Sequence, residues 1–170
     1  MTNEMSDEEF VGRMQYFDWV DIYDDKGELK FEPIERYENW QDVIQPDSIN
    51  IIDYLDPGEN SYYIGVLIDQ IRQSLNKGIA IIAIQKKMIT GTKKDGTKYQ
   101  IKSDYGTGGQ YSEHRARLVV HIEPNELYIK KCKGWHTKNP NGKKYKFQIV
   151  QHGAKFHDIR EITEEYDYLE

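Results

Sequence analysis

The sequence predicts an α/β fold: a mainly parallel sheet flanked by helices, followed by antiparallel strands toward the C-terminus. Three observations carry that prediction. The run IAIIAIQKK, residues 79–87, is continuously apolar and β-branched before it turns polar at Gln85, the pattern of a strand covered on both faces. Before it, Ile64, Leu67, Ile68, Ile71 and Leu75 recur at helical spacing. Before that, INIIDYLD, residues 49–56, reads as a second buried strand. Strand, helix and strand in this order predict a right-handed βαβ unit.

The remaining elements follow in chain order. Asn3 and Ser6 offer N-caps to a helix over roughly 7–17, with Phe10, Val11 and Met14 on one face and acidic residues near the positive end of its dipole. DWVDIYDDKGELKF alternates around a DDKG turn and predicts two short strands. A short helix is expected near 36–44, then the strand 48–55, bounded by the turn signal DPGEN. The helix over 61–77 has Gly78 placed as its C-terminal stop. Residues 88–109, rich in Lys, Gly and Thr, read as a long mobile loop with a hairpin at KKDGTK, and loops of that length are uncommon without a function. A short helix or turn over 110–116 leads to the strand ARLVVHIE. ELYIKKCKGW and KKYKFQIV pair as antiparallel strands across NPNG, and residues 151–170 form an acidic tail. The expectation is one domain across 170 residues.

Composition narrows the class. No apolar run approaches the roughly 18 residues of a membrane span, and MTNEMSDEEF has neither the charge nor the apolar stretch of a signal peptide. Cys132 is the single cysteine, so no internal disulfide forms, and a cytoplasmic setting is expected. The net charge of −6 hides an asymmetry: residues 1–60 hold 17 acidic and 4 basic side chains, net −13, and residues 72–150 hold 17 basic and 5 acidic, net +12. Such a division suits a basic surface for a polyanion, although a merely solvated lysine-rich face has the same composition.

Asp53, toward the end of its strand, stands where nucleotide-hydrolysing α/β proteins hold magnesium, a role that needs a phosphate-binding loop. The nearest match, GTKKDGTK at Gly91–Lys98, reverses the final residues of the motif and is followed by no helix to supply the anion-binding N-terminus. It reads as a basic loop tip. Cys132, His136, His152 and His157 give a C-x3-H…H-x4-H pattern, but one cysteine is atypical of a structural zinc site.

Five segments in order carry a resemblance. Asn3–Met14 resembles the "LEMS…R" segment of DnaB-type replicative helicases, and INIIDYLD resembles their Walker B strand. IAIIAIQKK resembles the strand whose terminal Gln senses the γ-phosphate. GTGGQYSEHRARLVVHIE is similar to the RecA-type segment after the second DNA-binding loop, and Lys131-Cys132-Lys133-Gly134 to the segment that supplies a cationic finger to a neighbouring subunit. The resemblance implies a RecA-like, phage-type ATPase domain, of which this chain is the distal part without its phosphate loop. It implies that Glu4 polarises the attacking water, that Asp53 orders magnesium, and that Gln85 links the γ-phosphate to a DNA loop. Lys131 and Lys133 would be the finger, with Lys133 where the family has Arg and so without a bidentate contact. ATP and magnesium would then bind only where a longer chain, or a partner carrying the loop, supplies the phosphate grip.

For nucleic acid, Lys86, Lys87, Lys93, Lys94, Lys98, Lys102 and Arg115 would contact phosphates, and Tyr99, Tyr105 and Trp135 would stack on unpaired bases. Two expectations stand side by side: a helicase- or recombinase-type ATPase portion that does not turn over ATP alone, acting on single-stranded DNA with neighbouring subunits, and a non-catalytic nucleic-acid-binding or adaptor module.

Overall fold

A computed structural model describes residues 1–163 of the chain. Residues 164–170, the end of the expected acidic tail, lie outside the described residues. The chain forms two compact units, one of residues 1–10 and 32–115, the other of residues 11–31 and 116–163 within the described range.

The first unit contains the expected strand–helix–strand. Strand β1 (Ile49–Ile52) pairs in parallel with β2 (Ile79–Ile82), with α2 (Ile64–Ser74) between them in sequence. The first helix, α1 (Asp7–Met14), is shorter than the predicted span and crosses between the two units. Thr2 forms single parallel bridges to Glu35 on one side and Asp53 on the other. The backbone of residues 1–3 thereby satisfies groups at the end of β1, with Asp53 N–H donating to Met1 C=O at 3.0 Å. A buried cluster of Trp40, Ile44, Ile52, Leu55, Ile64 and Ile71 forms the core, with Leu67, Ile68, Ala80 and Ile82 packed against it. Trp40 comes from a 3₁₀ turn at Trp40–Val43, the short form of the helix predicted near 36–44.

The RecA-like sheet is not there. Among the described residues the only α-helices are α1 and α2, and the parallel pairing of named strands is confined to a two-stranded sheet with four-residue strands. The strands are not covered on both faces: Ile49 (67% exposed), Ile51 (57%), Ile79 (52%) and Ile81 (54%) share one open face, while Ile52 is buried on the other. The register places Ile49 opposite Ile79 and Ile51 opposite Ile81, so the bare face is contiguous. Gly78 also has a different role from the one predicted. The helix ends at Ser74, and a Cβ on Gly78 would stand 2.4 Å from Ser48 O, so it is close backbone approach to the 46–48 turn that requires glycine.

After β2 the chain enters an antiparallel ribbon of β3 (Lys86–Thr92) and β4 (Lys98–Gly106), a sheet of its own. The hairpin at KKDGTK is therefore present, but the surrounding loop predicted over 88–109 is mostly strand. A 3₁₀ turn at Gly109–Ser112 follows, within the predicted 110–116 turn region.

The second unit is a four-stranded antiparallel sheet, β5 (Leu118–Glu123), β6 (Glu126–Cys132), β7 (Lys144–Val150) and β8 (Lys155–Ile162), in that spatial order. The first three strands are those predicted; β8 replaces part of the expected tail. Pro124 and Asn125 close the β5–β6 turn, with Asn125 at φ 60°, a conformation asparagine tolerates better than most residues. Phe147 is buried against Phe156, ring centroids 4.8 Å apart. The segment DWVDIYDDKGELKF contributes one antiparallel bridge, Tyr23 to Leu29, rather than two strands. Trp19 Nε1 donates to Ala154 O at 3.2 Å and holds that segment against the end of β7 and β8.

Candidate functional site

The β3–β4 ribbon carries six lysines and two aspartates over residues 86–106, net +4. Its turn is built locally. Asp95 Oδ1 accepts the Thr97 N–H at 2.9 Å, Lys93 N–H donates to Thr97 O at 2.9 Å, and Gly96 adopts φ 85°. The Thr97 backbone N–H, seconded by its hydroxyl, holds the Asp95 carboxyl below its ordinary pKa. That order presents Lys93, Lys94 and Lys98 to solvent at the tip. Tyr99 lies across Gly91 in the facing strand, where a Cβ would meet its ring at 2.4 Å, so the glycine admits an aromatic platform.

At the base of the ribbon, Met88, Ile89, Thr90 and Ser103 line a cleft of about 450 Å³ together with Ser61, Tyr62, Gly108 and Gly109. Asn60 Oδ1 accepts the Tyr62 N–H at 3.1 Å and fixes the turn that leads into α2. Tyr62 meets Tyr111 edge to face, ring centroids 5.9 Å apart. Gly108 and Gly109 take positive φ in succession, and a Cβ on Gly108 would stand 2.2 Å from Ile64 Cγ2. The turn that closes the cleft therefore requires a residue without a side chain at Gly108.

The residues singled out by sequence are distributed unevenly. Lys86, Lys93, Lys94 and Lys98 lie on the ribbon, as do the backbones of Lys87 and Lys102, whose side chains lie outside the described set. Arg115 does not join them: its Nε sits 3.1 Å from Asp69 Oδ1 on α2, a charge pair not aligned as a hydrogen bond. Glu4 is exposed, and its backbone N–H donates to Thr2 Oγ1 at 3.1 Å. Asp53 is half-buried beside the Met1 α-amino group, which donates to Ile51 O at 2.8 Å; burial lowers the pKa of that amine and Asp53 partly opposes the shift. Gln85 is exposed and uses its carbonyl to accept from Thr107 N–H at 2.8 Å. Lys131 and Lys133 belong to the second unit, Lys131 opposite Val119 in the sheet and Lys133 donating its N–H to Arg117 O at 2.9 Å. Among the described residues no group of three or more His, Cys, Asp or Glu side chains could hold a metal ion. Nor is any helix among them long and apolar enough to cross a membrane.

Sequence reading missed the cleft. Tyr62, Met88 and Ser103 are far apart in the chain, and no local pattern joins them. The available signal was the paired glycine at 108–109, which marks a backbone turn without saying what it closes on. No family model, curated protein or solved structure matches the chain.

Proposed function

We propose that the chain is a non-catalytic nucleic-acid-binding module whose lysine-bearing ribbon holds a single strand. The observation that carries this reading is the ribbon itself: net +4 over 21 residues, with Lys93, Lys94 and Lys98 exposed at its tip and Tyr99 and Tyr105 exposed along it. Clustered lysines release counterions when they contact phosphates, and aromatic rings between them offer stacking surfaces to unpaired bases. The catalytic roles implied for Glu4, Asp53, Gln85, Lys131 and Lys133 rest on a RecA-like sheet that the chain does not form. No nucleotide chemistry is assigned to them, and ATP and magnesium have no part in this reading.

The test is fluorescence anisotropy with a labelled single-stranded DNA oligonucleotide across a salt series. Affinity is expected to fall linearly on a log–log plot, with a slope of about −0.7 per phosphate contacted. Replacing Lys93, Lys94 and Lys98 by alanine together should flatten the slope by roughly 2. Salt-independent affinity, or a triple variant that binds as tightly as the native chain, overturns the proposal.

A further inference from the structure

We infer that the cleft at the base of the ribbon receives one unpaired nucleobase of the bound strand, stacked on Tyr62; this rests on the nucleic-acid reading above. The cleft is chemically unlike the ribbon tip. Among the described residues no charged side chain lines it: the apolar residues are Tyr62, Met88 and Ile89, and Ser61, Thr90 and Ser103 are the hydroxyl-bearing ones. A lining of this kind accepts a flat, neutral group with a polar edge. Its volume of about 450 Å³ lies within the range of roughly 300–1,000 Å³ usual for small-molecule sites.

Tyr62 is suited to stacking because it is ordered yet open. Its backbone is fixed by Asn60 and its ring abuts the edge of Tyr111, which itself lies on Gly65 with a Cβ–Cβ approach of 3.4 Å for a side chain placed there. Even so, Tyr62 is 71% exposed. A ring held on one edge and exposed elsewhere loses little entropy on stacking. A hydroxyl can donate or accept, and Ser103 Oγ, which accepts the Tyr105 N–H at 3.1 Å, keeps its own proton to donate, so such groups suit the polar edge of any base without selecting among them. Because Met88, Ile89, Thr90 and Ser103 also belong to the lysine ribbon, a base in the cleft leaves its flanking phosphates beside the lysines. Neutral ring inside and anionic backbone outside is the partition that a single strand offers.

The experiment compares an oligothymidylate with an abasic oligomer of the same length and charge, across the same salt series. The native chain should bind the base-bearing strand more tightly by at least about tenfold, the scale of one stacked base. Tyr62→Ala should cut that difference by about tenfold, leaving what Tyr99 and Tyr105 contribute, Tyr62→Phe should retain it, and both should keep the native salt slope. Thr90→Leu, which enlarges a lining residue and leaves Tyr62 in the sequence, should reduce it likewise; circular dichroism melts verify that each variant is folded. Equal binding of the two oligomers with a normal salt slope overturns the base site and leaves the charged ribbon standing. Failure of both oligomers to bind overturns the nucleic-acid reading and the base site with it.

Discussion

Asn50 is a buried polar residue of the first unit with several hydrogen bonds, and replacing it should be costly. It sits in β1 at 3% exposure, on the same buried side as Ile52. Its Oδ1 accepts the Gln45 N–H at 2.8 Å, and its Nδ2 donates to Gln45 O at 2.9 Å, with longer approaches to Ser48 O at 3.2 Å and Ile79 O at 3.3 Å. The side chain thus joins the turn before β1 to β2. Asn50→Leu keeps the volume but leaves the Gln45 N–H without this acceptor, at about 1–3 kcal/mol, and removes at least one well-formed bond worth about 1 kcal/mol. The expected loss is about 2–4 kcal/mol. With m near roughly 2 kcal/mol/M, the urea midpoint should fall by about 1–2 M. Trp40 is the one tryptophan of this unit, so its fluorescence reports the transition once Trp19 and Trp135 are replaced by phenylalanine. Asn50→Asp adds a sign to the test. A buried carboxylate facing carbonyl oxygens has its folded-state pKa raised above the unfolded value, so the variant's deficit grows by about 1.36 kcal/mol per pH unit between the two and shrinks in acid. A Leu variant within 0.5 kcal/mol of the native chain (an order-of-magnitude limit for surface changes) would refute the reasoning, as would an Asp variant whose deficit widens in acid.

The two faces of the β1–β2 pair give a second comparison. Ile52→Ala should cost about 2–5 kcal/mol, whereas Ile51→Thr on the open face should cost less than about 1 kcal/mol; equal costs in urea unfolding would mean that both faces are covered. Among the glycines, Gly78→Ala should destabilise because its Cβ meets backbone at 2.4 Å, while Gly12→Ala, with nothing within 4 Å, should stabilise α1 by about 1 kcal/mol in thermal melts. In the ribbon, the folded-state pKa of Asp95 lies below its unfolded value, so the turn keeps its full support at neutral pH and loses it as pH falls through the carboxylate range. Amide exchange at Thr97, corrected for its intrinsic pH dependence, should lose protection in acid in the native chain but not in Asp95→Asn, which keeps an acceptor oxygen.

Much of the local structure was legible. Helical spacing located α2, apolar runs located β1 and β2, and alternation located β5 to β7, because each signal is written in neighbouring residues. The strand β8 escaped because its alternation is interrupted: Asp158 takes φ 52° and the register with β7 shifts between Lys146 and Gln148. It is also an edge strand bearing Lys155, Asp158, Arg160 and Glu161, charges that blunt edge pairing but make the segment resemble a solvated tail. The ribbon strands escaped for a related reason. Met88, Ile89, Ile101 and Tyr105 are all exposed, so no buried face imposes a period of two.

By itself, then, the sequence determined the parallel strand–helix–strand, three of the four antiparallel strands, the hairpin turn at KKDGTK and the concentration of lysine there. It could not determine how many faces of a sheet are covered. A run such as IAII has the same composition whether helices pack on both sides or the second side is open, because β-branching and hydrophobicity favour a strand in either setting. Tertiary structure alone decided that the parallel sheet stops at two named strands, that Arg115 is paired with Asp69, and that Tyr62, Met88 and Ser103 converge on one cleft. Those outcomes depend on contacts between residues distant in the chain, which local periodicity does not encode.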